Sequence, residues 1–336
     1  MRNRFLYLIL TLLLIIELPA HSQKFEWMAG FDGFLDNREY YSIDNPQTIF
    51  GSRIKGEIGA SLADVHRLRF GINYLYEFGH DLDAHLPNVT MYYQYDDDRI
   101  NFQIGSFPRY KLLDYPLALL SDTLLYYRPN IEGAFFGYSG GWGFQNVFID
   151  WTSRQTENTH ERFIFGFSGA LRKGILFLNH HFMMGHFAAK GVPDPDHHLR
   201  DNGGFQIDLG ADLSGMVFLD TLGFSAGTLV SLDRTRGVDD GWQTPAGFIG
   251  QFKAFYKWFG INGLYYQGQG HTFLYGDPFY RLEQYGRLDF FYMPFHNENV
   301  SLKINFVLHF AESQIDYSQQ ILVSMALDGF RLFNPQ

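Results

Sequence analysis

The chain predicts an all-β fold, a transmembrane antiparallel β-barrel of about sixteen strands in a single domain, with fourteen and eighteen as the outer limits. Three observations lead there. Composition is the first: among 336 residues there are 35 Phe, 21 Tyr, 5 Trp and 35 Gly, while charged residues make up 18%, against roughly 25% in ordinary soluble domains. The second is a hydrophobic period of two that recurs along most of the chain. The third is the spacing of short polar turns and longer polar connections between the alternating runs.

Residues 1–22 come first. Arg2 and Arg4 precede an apolar run from Phe5 to Ile16, and Ala20-His21-Ser22 follows. A basic start, an apolar stretch and small residues at the end read as a signal peptide removed after Ser22. The run is too short for the ~20 residues of a spanning helix. The remainder, 23–336, reads as the barrel.

In 25–35 the odd positions are Phe25, Trp27, Ala29, Phe31, Gly33 and Leu35, with Glu26 and Asp32 between them. In 50–62 the even positions Phe50, Ile54, Ile58 and Leu62 alternate with Arg53, Lys55 and Glu57. Leu68, Phe70 and Ile72 oppose Arg67, Arg69 and Asn73, with Glu77 on the charged face further along. The same pattern runs through 205–219, with Gln206, Asp208 and Asp212 opposite the apolar set, and through 300–310, with Lys303, Asn305 and His309 opposite. Successive strand residues point to opposite faces, so each run has a continuous apolar face and a charged one. An apolar face outward and a wet lumen inward fit a membrane barrel. Runs 131–139, 142–152 and 260–267 alternate poorly and leave the strand count open.

Short turns fall at Ala63-Asp64, Asp96-Asp97-Asp98, Gly140-Gly141, Arg172-Lys173-Gly174, Asp220-Thr221 and His296-Asn297-Glu298. Longer connections lie near 37–47, 79–87, 106–131, 153–161, 188–203, 233–245, 268–283 and 312–318. An aromatic run at Phe330–Phe333 closes the last strand. The outer membrane of a Gram-negative bacterium is the predicted location, with membrane lipid around the barrel and both termini on the periplasmic side.

The strings Asp36-Asn37-Arg38-Glu39-Tyr40-Tyr41 and Pro46-Gln47-Thr48-Ile49-Phe50-Gly51 resemble porin-like outer-membrane proteins of Bacteroidota. That resemblance implies the fold and the location. Trimeric general porins, a more distant likeness, imply a third surface loop folded into the lumen.

The third connection here, 106–131, is the longest and is apolar, carrying Leu112, Leu113, Leu117, Leu120 and Leu124. Such a segment does not stay in water. It is expected either to narrow the pore, presenting Arg109, Lys111, Asp114, Asp122 and Arg128, or to cover the barrel mouth or a neighbouring subunit. Lumen charge candidates are Arg53, Lys55, Glu57, Arg67, Arg69, Glu77, Asp208, Asp212, Lys253, Arg287, Asp289 and Lys303. Lys257 is read as inward too, and these charges either set ion preference or pair across strands.

Several signals bear on chemistry. Gly137-Tyr138-Ser139-Gly140-Gly141 matches G-x-S-x-G, which has meaning only on a strand-to-helix turn; here a hairpin is expected. His180, His181, His186, Asp194, Asp196, His197, His198 and Asp201 are metal-capable but match no ligand spacing. Absent Cys excludes disulfides and thiolate chemistry, and a formal charge of −10 argues against nucleic acid as a partner. The expectation is therefore a passive pore for small hydrophilic solutes, a homo-oligomer being open, with no enzyme activity, cofactor or metal. Two alternatives stand beside it: a barrel-based enzyme acting on lipid or glycan, and a barrel for polysaccharide export or assembly.

Overall fold

The computed structural model describes residues 23–81, 85–188, 198–312 and 314–328. The leader read in 1–22, the aromatic run at 330–333, and Asp194, Asp196 and His197 lie outside these residues. The described residues form sixteen antiparallel strands in one closed barrel. The first eight are β1 (Gln23–Glu39), β2 (Gln47–Leu62), β3 (His66–Glu77), β4 (Asn88–Asp96), β5 (Ile100–Pro108), β6 (Asn130–Gly140), β7 (Gly143–Ser153) and β8 (Arg162–Lys173). Then come β9 (Leu176–Phe187), β10 (Arg200–Asp212), β11 (Thr221–Thr235), β12 (Ala246–Tyr256), β13 (Phe259–Gly268), β14 (Gln284–His296), β15 (Val300–Ala311) and β16 (Gln314–Asp328). Each strand pairs with its chain neighbours, and β1 closes on β16 from Met28↔Asp328 to Glu39↔Tyr317.

Period two becomes two surfaces. Phe25, Trp27, Phe31, Ile54, Ile58, Phe70, Phe224, Phe290 and Ile304 are exposed on the outer wall, while Glu26, Arg53, Glu57, Arg69, Asn73, Gln206, Asp208, Asn305 and His309 are buried inside. An apolar outer belt is the surface that lipid tails demand. Connections are short at the end that carries Gln23. Ala63 and Asp64 turn there with φ of 54° and 60°, a backbone conformation suited to two-residue hairpins. Asp212 ends β10 by accepting hydrogen bonds from the Ser214 backbone N–H and hydroxyl, so the strand expected to reach 219 stops short, in a 3₁₀ turn at Ser214–Met216.

The third and seventh long connections, here L3 (109–129) and L7 (269–283), turn into the barrel. L3 carries the helical turn α1 (Thr123–Tyr127). Tyr115, Ala118, Leu119 and Leu120 of L3 join Phe273, Phe279 and Tyr280 of L7 in one buried cluster, which reaches Phe107, Ile131, Phe148, Ile164, Met183, Leu229, Ile249, Tyr266 and Tyr285 of the wall. A second cluster sets Tyr126 against Phe34, Ile49 and Leu75. Asn202 of β10 completes the ring of contacts, donating to the Thr272 carbonyl and accepting from the Leu274 N–H. An apolar layer therefore crosses the lumen. It also explains the runs that alternate poorly: β6, β7 and β13 put Ile131, Phe135, Phe148 and Tyr266 inward against this layer, so both of their faces are apolar.

The two loops are tied to each other and to the wall. The Ser121 N–H donates to the Tyr275 carbonyl at 2.7 Å, and the Asp277 N–H to that of Leu117 at 2.8 Å. A Cβ on Gly276 would lie 1.9 Å from the Ala118 carbonyl oxygen, so only glycine permits that approach. Arg109 hydrogen-bonds Asp150 of β7, with side-chain exposures of 1% and 0%. Removing one partner of such a pair strands a buried charge, a loss of roughly 3–5 kcal/mol. Arg109→Ala is therefore expected to lower the urea midpoint of the refolded barrel markedly. Arg109→Ala with Asp150→Ala should recover much of that loss, as read by tryptophan fluorescence.

Candidate functional site

Two places gather chemistry-bearing side chains. The first is a chamber of about 860 Å³ in the half of the lumen nearer the short turns, under the apolar layer. Arg53, Lys55, Glu57, Lys253, Arg287, Asp289 and Lys303 line it, as do Asp114 and Asp122 of L3. Some of these charges are paired. Lys55 meets Asp32 at 2.7 Å and Arg287 meets Asp289 at 2.6 Å, whereas Arg53 donates to the carbonyls of Leu125 and Tyr126, holding α1 to the wall.

The other residues singled out from sequence lie elsewhere. Arg69 contacts Glu26 and Tyr92, the latter also donating to Glu57 of the chamber, and Arg67 stands between Glu26 and Asp96. Glu77, near the loops, accepts from Tyr127 and contacts His85. Asp208 accepts from Gln206. Within L3, Arg109 and Arg128 turn to the wall, the latter donating to the Thr152 carbonyl, and Lys111 lies over the Tyr110 ring. Lys257 is a turn residue with φ of 58°, its backbone N–H donating to Asp220, so its expected inward position is corrected.

Sequence reading missed L7 as a second inward loop, although Phe273, Tyr275, Phe279 and Tyr280 give it the same apolar signature as L3. It also missed the buried knot at the top of β1. There Arg38 bridges Asp36 at 2.5 Å and Asp122 at 3.1 Å, and Tyr126 and Gln320 donate to the same Asp36 oxygen. These are residues of the Asp36–Tyr41 string, and their task is to clamp L3 to the wall.

The second place is on the outer wall near the loop end. The β-register lines up Trp151, Phe163, His186, Asp201 and Arg234 across five successive strands, β7 to β11. Their neighbours Phe165, Ile207 and Leu209 on the same face are exposed to lipid. His186 Nδ1 donates to Asp201 Oδ1 at 2.6 Å, and Arg236 donates to Asp201 Oδ2 through Nε at 3.1 Å and Nη2 at 2.9 Å. Of the His- and Asp-rich cluster, the structure thus brings together His186 and Asp201. His181 instead faces the lumen against Tyr115, and His180 bonds Gln145. Ser139 lies on β6 beside the short turn to β7, at the opposite end of the wall. Among the described residues no group of His, Asp and Glu is arranged to hold a metal ion.

A family model described as lipid A 3′-O-deacylase-type matches residues 19–332. No curated protein sequence matches the chain. Solved structures share the fold at low identity. The loop L8 deletion mutant of OmpT from Vibrio cholerae superposes with a TM-score of 0.56 at 9% identity, covering 91% of this chain and 100% of that one. The anion-selective porin from Comamonas acidovorans gives 0.52 at 10%, covering 91% and 99%. At such identities the likeness is one of fold, and it agrees with the outer-membrane location. The family match overturns the expectation that the chain is not an enzyme. That expectation rested on finding no catalytic spacing in sequence, whereas a barrel wall assembles side chains across strands.

L7 carries two buried groups that titrate in opposite senses. Burial lowers the imidazole of His271, which shares a 3.0 Å hydrogen bond with Ser231, to about 4. Burial pushes Asp277 up to about 6, partly offset by Arg287. Sign by sign, stability linked to His271 is lost as pH falls from 6.5 toward 4, and stability linked to Asp277 is lost as pH rises from 3.8 through 6. Protection of L7 from protease should therefore vary little between pH 4 and 6 in the parent protein. In Asp277→Asn it should rise with pH across that window, and a flat profile there would refute the assignment. Removing residues 110–127 is expected to raise single-channel conductance severalfold, because the third loop's part of the layer crossing the lumen goes with them.

Proposed function

Because this chain belongs to the lipid A 3′-O-deacylase-type family, we propose that it is an outer-membrane hydrolase that releases an acyl chain from the 3′-O position of lipid A. The match over 19–332 carries the reading, since it spans the barrel rather than a fragment of it. The layer formed by L3 and L7 supports it. A passive pore needs a wet path through the lumen, and here buried apolar side chains from both loops meet the wall on all sides. A lipid substrate needs no such path, because it reaches the protein from the outer leaflet, along the apolar wall. Ester hydrolysis asks for a base to activate water and for donors at the developing oxyanion; a rigid barrel holds such groups at fixed spacing.

A passive pore for small hydrophilic solutes is the second reading. The charge-lined chamber of about 860 Å³ favours it, on condition that L3 and L7 leave the lumen.

The test is mass spectrometry of fully acylated lipid A incubated with the refolded protein in mixed micelles, with bilayer conductance recorded in parallel. Loss of the 3′-linked chain, with little ion current, is expected. Intact lipid A together with stable open steps would overturn the hydrolase and favour the pore.

A further inference from the structure

We infer that His186 is the general base of the hydrolase, with Asp201 as its positioning residue and Arg234 and Arg236 as the cations that receive the substrate; this rests on the hydrolytic reading above. A carboxylate, an imidazole and a guanidinium side by side on the outward face of the wall, with the Arg236 guanidinium just past the end of β11, call for a reason. Their height supplies one. His186 is the penultimate residue of β9, Asp201 the second of β10, and Arg234 the penultimate of β11, so the row lies where the wall gives way to loops. At that level an outer-leaflet lipid places its phosphates and ester carbonyls, while its acyl chains run down the apolar wall.

The bonding within the row gives each group a task. With Nδ1 donating to Asp201, Nε2 is the proton acceptor of the neutral ring. The ring is stacked on Phe163 at 4.9 Å, and Phe163 on Trp151 at 4.9 Å, which fixes its plane and gives the acyl chains an aromatic surface. Arg236 occupies the other oxygen of Asp201. Arg234 faces Asp201 in the register, yet its buried Nε has no hydrogen-bond partner among the described residues. A movement of the side chain would bring this donor to a phosphate or an ester oxygen.

The step balances with water alone. His186 Nε2 takes a proton from water as the water oxygen bonds to the ester carbonyl carbon and the carbonyl electron pair moves onto oxygen. When that pair returns, the bond from carbon to the sugar oxygen breaks. The imidazolium proton goes to the sugar oxygen, leaving a free hydroxyl and a fatty acid.

The experiment measures acyl release from micellar lipid A by the parent protein and by His186→Ala, His186→Gln and Asp201→Asn, each checked for the heat-modifiable mobility of a folded barrel. His186→Gln keeps a donor for Asp201 and serves where the alanine variant does not fold. The expected result is a fall in kcat of at least 100-fold for both His186 variants with KM within about twofold. Added imidazole should partly restore His186→Ala, a rescue that a merely structural histidine would not allow. Asp201→Asn should lower kcat by about 10-fold or more and leave KM similarly unchanged. An active parent with folded His186 variants within twofold of it would overturn the assignment while leaving the hydrolase reading intact. A parent that releases no acyl chain would remove both.

Discussion

Everything in this structure depends on the closing of β1 against β16. Within a bilayer no water can satisfy a free N–H or C=O, so a sheet survives there only when it has no edge. Pairing from Met28↔Asp328 to Glu39↔Tyr317 removes the last one. Once the sheet is closed, the side chains have two destinations, lipid and lumen, and period two in sequence becomes two surfaces of opposite chemistry. Closure also confines irregular backbone to the ends of the strands. Residues that join L3 to the wall therefore come from the loop end or from the inward face, as Arg38, Arg53 and Asp150 do.

Much of this was legible in the sequence, for physical reasons that can be named. Outward Phe25, Trp27 and Phe31 alternate with inward Glu26 and Asp32 because each face has a single uniform neighbour. The reading blurred wherever the inside ceased to be uniform. At Ile131, Phe135, Phe148 and Tyr266 the inner face meets L3 and L7 and turns apolar, so the period fades although the strands persist. The in-folding of L3 could be anticipated from its leucines, but its partner could not. Which loop answers another across a lumen is a matter of closure, and closure is invisible to local pattern.

The chemistry was less legible than the fold. The one recognisable motif, around Ser139, is a strand entering a tight turn. The His186–Asp201 contact joins residues fifteen positions apart, and the rest of the row is drawn from strands β7, β8 and β11. A barrel assembles sites along the hydrogen-bonding direction, perpendicular to the chain, so register rather than spacing decides what meets what. An arginine, an aspartate and a histidine in separate strands look like isolated exceptions to the alternation until they are placed side by side. On the hydrolytic reading proposed above, that row acquires a chemical meaning that the alternation alone would have treated as noise.

The meeting of Gly276 with the carbonyl of Ala118 bears on how such a barrel can diversify. With 1.9 Å left for a Cβ, the seventh loop is cast against the third as a mould is against its casting. Change in either is therefore admissible only as a joint change, and the two segments constitute a single heritable unit although residues 130–268 lie between them. Shuffling one loop alone between homologous barrels would yield chimaeras that close their sheet and fail at its centre. The wall is free to drift strand by strand, but its filling is not.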